Sequence, residues 1–223
     1  MHLKELYKNH GTAARCAAVI LTFLSGISLF SASIAKAEIS DEIQTSPHIA
    51  SHIIGIDPGH QGPNVDMSDL EPLGPGSTEM KAKASTGTQG TFSGLPEYQL
   101  NLDVSLKLQK LLEDRGYETV LTRTDNDTAI SNKERAEYVA DQGAEICVRI
   151  HANGAEASSA AGALTISPSS SNPYVPQLYE ESSELSQHIL DAYCAATGFD
   201  NRGITYADNM TGINWSTIPV TIV

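Results

Sequence analysis

The sequence predicts a single α/β domain in which a mostly parallel sheet is flanked by helices. Three observations lead there. Short β-branched runs alternate along the chain with segments whose apolar residues recur at helical spacing. The runs are apolar almost throughout rather than at every second position, as in strands covered on both faces. The chain has 223 residues, 40% of them hydrophobic, which supplies one core and leaves too little length for two sizeable domains.

The elements follow in order. Residues 52–56, His-Ile-Ile-Gly-Ile, read as a buried strand that ends in the turn Asp57-Pro58-Gly59. Residues 61–95 are rich in glycine and proline and read as a long loop, either a wall or lid over a cleft or a surface excursion. Pro96 and Glu97 open a helix, because proline suits the first turn and an acid suits the positive end of the dipole. Leu100, Val104, Leu108 and Leu111 give that helix its apolar stripe, and Gly116 ends it. Residues 119–122 are the next strand. Ser131 with Glu134 forms a capping-box pattern at the start of a second helix, with Ala136, Val139 and Ala140 facing inward and Gly143 as its stop. Residues 145–150 are a third strand and 162–166 a fourth. A helix over 177–196 turns Leu178, Leu185, Ile189 and Ala192 to one face. The Ser/Pro patch at 167–173 is a loop, and 218–223 is an apolar β-branched run.

Composition narrows the function. There are 14 Lys+Arg against 27 Asp+Glu, a net charge of −13, so the clustered cations that nucleic-acid binding needs are missing. The first 37 residues read as a secretory signal: basic residues Lys4, Lys8 and Arg15, an uncharged stretch from 16 to 35, then Ala35-Lys36-Ala37. Its removal takes four cations and only Glu5, so the mature chain is more acidic still and is not held by charge to anionic lipid or polymer. Residues 38–51 are a polar linker, and no later stretch is apolar enough to span a bilayer. The leader also carries away Cys16. Of the two remaining cysteines, Cys147 lies in a buried strand, which favours two quiet core thiols over a disulfide with Cys194.

In parallel α/β sheets, ligands bind at the carboxyl ends of the strands. Three polar residues occupy such places: His60 just past the first strand, Glu97 at the opening of the first helix, and His151 directly after the third strand. Two neutral imidazoles and a carboxylate suit zinc, with a fourth position left for water. Spacing alone does not separate that set from ordinary surface or core histidines.

The local sequences carry more. Ile54-Gly55-Ile56-Asp57-Pro58-Gly59-His60-Gln61-Gly62 is followed by Pro96-Glu97 and a leucine-rich helix ending Asp114-Arg115-Gly116-Tyr117. Then come Arg123-Thr124-Asp125, Ser131-Asn132-Lys133-Glu134-Arg135-Ala136 and Arg149-Ile150-His151-Ala152-Asn153. In this order the set resembles the zinc-dependent N-acetylmuramoyl-L-alanine amidases of the amidase-3 type, from about residue 53 to 223. The resemblance implies that His60, Glu97 and His151 bind Zn²⁺. It implies a hydrolase for the amide between the lactyl group of N-acetylmuramic acid and L-alanine in peptidoglycan, acting outside the cell at the wall. It makes 52–223 the amidase-like catalytic domain.

The same resemblance places a general-base Glu, in an E-x-G-F element, just after the strand read at 218–223. The chain therefore reads as stopping short of its domain's end, with that Glu expected immediately past Val223. Two other functions share the metal: an inactive zinc-binding module that attaches to the wall or regulates, and a zinc peptidase cutting within the stem peptide. Among the remaining residues, Asp57 either orients His60 or caps its turn. Arg149, on the same side of its strand as His151, either meets an anionic stem peptide or forms a surface ion pair. Glu156 is a weaker substitute base. Glu134 and Arg135 read as helix-face charges, His188 as a face residue, and His48 and His52 as lying before the site.

Overall fold

The computed structural model describes residues 52–154 and 160–223. The leader read at 1–37, the linker at 38–51 and Glu156 lie outside the described residues. The elements are β1 (Ile53–Pro58), β2 (Leu70–Pro72), β3 (Met80–Ala82), α1 (Glu97–Glu113), β4 (Glu118–Leu121), α2 (Asn132–Asp141) and β5 (Ile146–Ile150). They continue with β6 (Ala163–Ser167), a single 3₁₀ turn (Pro176–Leu178), α3 (Tyr179–Thr197), β7 (Asn201–Tyr206), α4 (Thr211–Asn214) and β8 (Val220–Ile222).

Six strands form one sheet in the order β4-β1-β5-β8-β6-β7. The first four run parallel, β6 is antiparallel to β8, and β7 is parallel to β6. The sheet is thus mostly parallel, with its last two strands reversed. Alternation along the central strands sends side chains to two cores. Ile54, Ile56, Ile146 and Val148 meet Leu112 of α1 and Leu185 and Ile189 of α3. Cys147, Val220 and Ile222 meet Val139 of α2 and Ile213 of α4 on the other face. Both faces are therefore covered. Cys147 and Cys194 are free thiols, the first buried and the second partly so, and burial pushes the Cys147 thiol up to about 12.

The structure corrects four readings. Strand β1 continues through Asp57 and Pro58, because Asp57 pairs in register with Arg149 of β5 and Pro58 with Ile150. The segment 61–95 is not all loop: β2 and β3 form an antiparallel hairpin within it. Strand β7 and helix α4 occupy a region with no expected element. The face of α1 is also rotated from the expected stripe. Leu100, Val104 and Leu111 are 37%, 41% and 40% exposed, whereas Asn101, Leu102, Ser105 and Leu112 are buried. Glu97 and Asn101 set that rotation, since both must point toward the end of β1, and residues 97, 101, 105, 108 and 112 then share one face.

The second helix forms as expected. Ser131 accepts from the Glu134 N–H and the Glu134 carboxylate accepts from the Ser131 N–H, which satisfies two orphan donors at once. This places the N-terminus of α2 at the carboxyl edge of β1 and β5, where the hairpin is pinned to it. The Glu71 carboxylate accepts from the Lys133 N–H, Trp215 Nε1 donates to the Pro72 carbonyl at 2.8 Å, and Asn214 donates to the Leu73 carbonyl.

Candidate metal centre

Strand β1 delivers His60. After Pro58, the Gly59 N–H donates to the Ile150 carbonyl at 2.9 Å, which locks the turn to the end of β5. His60 then adopts φ 65°, in the left-handed region. Its Nδ1 lies 3.2 Å from the Ser85 carbonyl and 2.9 Å from Ser85 Oγ. A carbonyl only accepts, so the Ser85 contacts suit a proton on Nδ1, the tautomer that leaves Nε2 for a metal ion. That Nε2 is 3.2 Å from Glu97 Oε1.

Glu97 is the first residue of α1, after extended Pro96, and its own N–H donates to the Thr88 carbonyl. Its side chain is 5% exposed. Oε2 accepts from the Thr88 N–H at 2.8 Å, and Oε1 accepts from the Ala152 N–H at 3.0 Å. Burial pushes the carboxyl pKa up. The adjoining imidazoles of His151 and His60 and the Thr88 and Ala152 N–H groups together outweigh it and hold the pKa well below the carboxylate range. Glu97 is therefore ionised at neutral pH.

Strand β5 delivers His151, whose Nδ1 is 3.3 Å from Glu97 Oε1. Burial pushes its pKa below the ordinary histidine value against the pull of Glu97, so the ring is neutral near pH 7. The two imidazoles meet edge to face with centroids 4.7 Å apart. One donor atom from each of His60, Glu97 and His151 lies within 4.8 Å of the others. Two glycines permit this convergence. A Cβ on Gly59 would collide with the His151 ring, and one on Gly87 would fall 2.5 Å from Glu97 Oε2 and 2.6 Å from His60 Cδ2.

A buried, ionised carboxylate between two imidazoles is a donor set that suits a divalent cation such as zinc. The family model described as Amidase_3, N-acetylmuramoyl-L-alanine amidase, matches residues 54–223. The chain belongs to this family. Among curated relatives, the Amidase_3 chain is 33% identical over 123 residues to the N-acetylmuramoyl-L-alanine amidase Rv3717 of Mycobacterium tuberculosis, covering 54% of this chain and 49% of that protein. It is 31% identical over 133 residues to LytC of Bacillus subtilis, an N-acetylmuramoyl-L-alanine amidase, covering 59% of this chain and 25% of that one. The chain thus spans about half the length of the first and a quarter of the second. Among solved structures, the amidase Ami1 from Mycobacterium smegmatis superposes with a TM-score of 0.67 at 23% identity, over 78% of this chain and 81% of that one, a likeness of fold.

The sequence-based expectations for Asp57 and Arg149 of this Amidase_3 chain need correction. Asp57 does not accept from His60, whose Nδ1 partner is Ser85. It is instead fully buried beneath the site, with Oδ1 2.7 Å from Arg135 Nη1 and 2.5 Å from Thr122 Oγ1, and Oδ2 3.1 Å from Arg149 Nη2. Burial pushes its pKa up, yet the guanidinium groups of Arg149 and Arg135 and the Thr122 hydrogen bond hold the carboxyl well below its ordinary range. Arg149 neither meets substrate nor lies at the surface. It is 4% exposed, paired with Asp57 and Asn132, and closed over by the backbone of α4, where a Cβ on Gly212 would overlap its guanidinium. The physical reason is register: Asp57 and Arg149 are direct cross-strand neighbours inside the sheet.

The site also uses residues that sequence reading missed. Ser85, Gly87 and Thr88, from the long 61–95 segment, line the site and contact His60 and Glu97, so this segment acts as a wall. Arg135, read as a helix-face charge, is 2% exposed. Its spacing held the signal, since it lies four residues before inward-facing Val139.

Proposed function

We propose that this chain is the catalytic domain of a secreted, zinc-dependent amidase that hydrolyses the bond between the lactyl group of N-acetylmuramic acid and L-alanine in peptidoglycan. The observation that carries the reading is the convergence of His60, Glu97 and His151 at the carboxyl edge of the sheet in a chain of the Amidase_3 family. Bound there, zinc would polarise the scissile carbonyl and bring the pKa of a bound water toward 7. The protein's own groups prepare for that. Glu97 contributes the single negative charge of the set, and the N–H groups of Thr88 and Ala152 orient it. Ser85 fixes the His60 tautomer, as carbonyls commonly do for metal-binding histidines.

The family resemblance assigns the general base to the same edge. Strand β8 ends at the site: the Val223 N–H donates to the Arg149 carbonyl, and the His151 N–H donates to the Val223 carbonyl, each at 2.9 Å. The glutamate that the resemblance expects after this strand would take the proton of the attacking water and pass it to the leaving amine. The relatives named as amidases, the signal pattern of residues 1–37 and the acidic charge support wall peptidoglycan as substrate, recognised by the site rather than by bulk attraction.

The test is digestion of purified cell wall by two zinc-supplied proteins, the 223-residue chain and one continued past Val223 with Glu-x-Gly-Phe. Mass spectrometry should find stem peptides with a free L-alanine amine, released about 10²–10⁴ times faster by the continued chain. Stem peptides shortened internally, or no release by either protein, would contradict the proposal.

A further inference from the structure

We propose that Arg135 and Arg123 are positioning residues for the metal site: their guanidinium groups clamp the turn that ends β1 and hold His60 in the conformation that turns its ring toward Glu97 and His151. The proposal rests on the reading of His60 as a metal ligand and adds what keeps it in place.

The observation is a run of three consecutive carbonyls, all turned onto arginine. The Pro58 carbonyl accepts from Arg123 Nε at 2.9 Å and from Arg135 Nη1 at 2.8 Å. The Gly59 carbonyl accepts from Arg123 Nη2 at 3.0 Å and from Asn101 Nδ2 at 3.2 Å. The His60 carbonyl accepts from Arg135 Nη2 at 2.9 Å. The last two matter most, because they belong to the peptide planes on either side of His60. Fixing both planes fixes both backbone torsions of that residue.

Those torsions need fixing. Among the described residues His60 is the one non-glycine with positive φ, a region disfavoured for any residue carrying a Cβ. Glycine would relieve the strain but would supply no imidazole. A strained residue at a site persists only where its surroundings over-determine it, and the arginine pair does so. Arg135 is in turn anchored by Asp57 at 2.7 Å, Gln61 Oε1 at 2.8 Å and Thr122 Oγ1 at 3.3 Å. Arg123 is anchored by the Tyr98 carbonyl at 2.7 Å, the Asp125 carbonyl at 2.9 Å and Asn126 at 3.0 Å. Only arginine suits both positions. A planar fork with five donors reaches two carbonyls and an anchor together, and a lysine ammonium does not. These bonds run to the backbone of the turn and to the anchors, not to the donor atoms of His60, Glu97 or His151, so the clamp works through the backbone.

The test measures Co²⁺ binding to the full 223-residue chain by titration and by visible d–d absorption. The proteins compared are wild type, Arg135→Lys, Arg123→Lys, His60→Ala and the His60→Ala/Arg135→Lys double variant. Urea unfolding of the metal-free proteins establishes that each is folded. Arg135→Lys and Arg123→Lys should each bind Co²⁺ about 10–100-fold more weakly, with an altered spectrum. In the His60→Ala background, Arg135→Lys should change Co²⁺ affinity no further, because the residue it positions is gone. Wild-type affinity and spectrum in a folded lysine variant would overturn the clamp, as would additive losses in the double variant. If one lysine variant does not fold, the other decides. If neither folds, the arginines serve the fold as a whole and the proposal is overturned. Absence of Co²⁺ binding by the wild type would instead overturn the assignment of His60, Glu97 and His151 as ligands, a separable failure.

Discussion

Asp57 shows how much one residue carries beneath this site. Among the described residues it is the carboxylate that pairs with both Arg135 and Arg149, all three nearly excluded from solvent. Asp57→Asn removes the charge and leaves two buried guanidinium groups against a neutral amide. That should cost about 3–5 kcal/mol in urea unfolding of the metal-free chain, the usual range for breaking a buried pair by removing one partner. The pH dependence has a definite sign. The folded-state pKa of Asp57 lies below its ordinary 3.8, so its stabilisation is complete above that value and drains away as pH falls below it. Glu97 acts in the same direction from its ordinary 4.5 downward. The urea midpoint of the metal-free chain should therefore fall as pH drops from 4.5, and Asp57→Asn should flatten the lower part of that fall. At this scale the grouping of His60, Glu97 and His151 was legible in sequence, because each sits at a strand end or helix start that the local pattern marks. The buried arginines were harder to read, because a lone cation on a helix or strand is ordinarily solvated, and only the spacing of Arg135 to Val139 pointed inward. Only the pairing of β1 with β5 shows that Arg149 faces Asp57.

Elements bring their own consequences. The capping box at Ser131 starts α2, and α2 carries Arg135 one turn later. Ser131→Ala should lower stability by about 1 kcal/mol, read as a shift in thermal or urea midpoint. The β2–β3 hairpin is held to α2 and α4 by Glu71, Asn214 and Trp215, with the Lys133 ammonium 4.2 Å above the Trp215 ring. Trp215→Phe keeps an aromatic body but removes the donor to Pro72. It should raise amide hydrogen exchange selectively in 70–82 and leave β1 and β5 protected; uniform exchange across the chain would show that the hairpin is not a separable unit. Periodicity revealed the order of the main strands and helices. It misplaced the α1 face, since leucines at 100 and 111 mimic a core stripe while the polar Glu97 and Asn101 decide the rotation. The reversal of β6 and β7 was hidden as well. Strand direction depends on which neighbour a strand pairs with, and β6 pairs with β8 from the far end of the chain.

At the scale of the whole molecule, a mostly parallel sheet gathers residues distant in sequence at one edge, while a net charge of −13 leaves the surface unsuited to holding anionic polymer. Sedimentation with wall fragments should therefore show no loss of binding as salt rises from about 50 to 200 mM, whereas a protein held by cation–phosphate contacts would lose binding steeply. Everything proposed for the chemistry depends on His60, Glu97 and His151 forming one metal centre. Anomalous diffraction at the zinc edge, from crystals of the zinc-loaded chain, tests this most directly. One strong peak is expected within bonding distance of all three side chains; a zinc peak elsewhere, or none at that edge of the sheet, would contradict it.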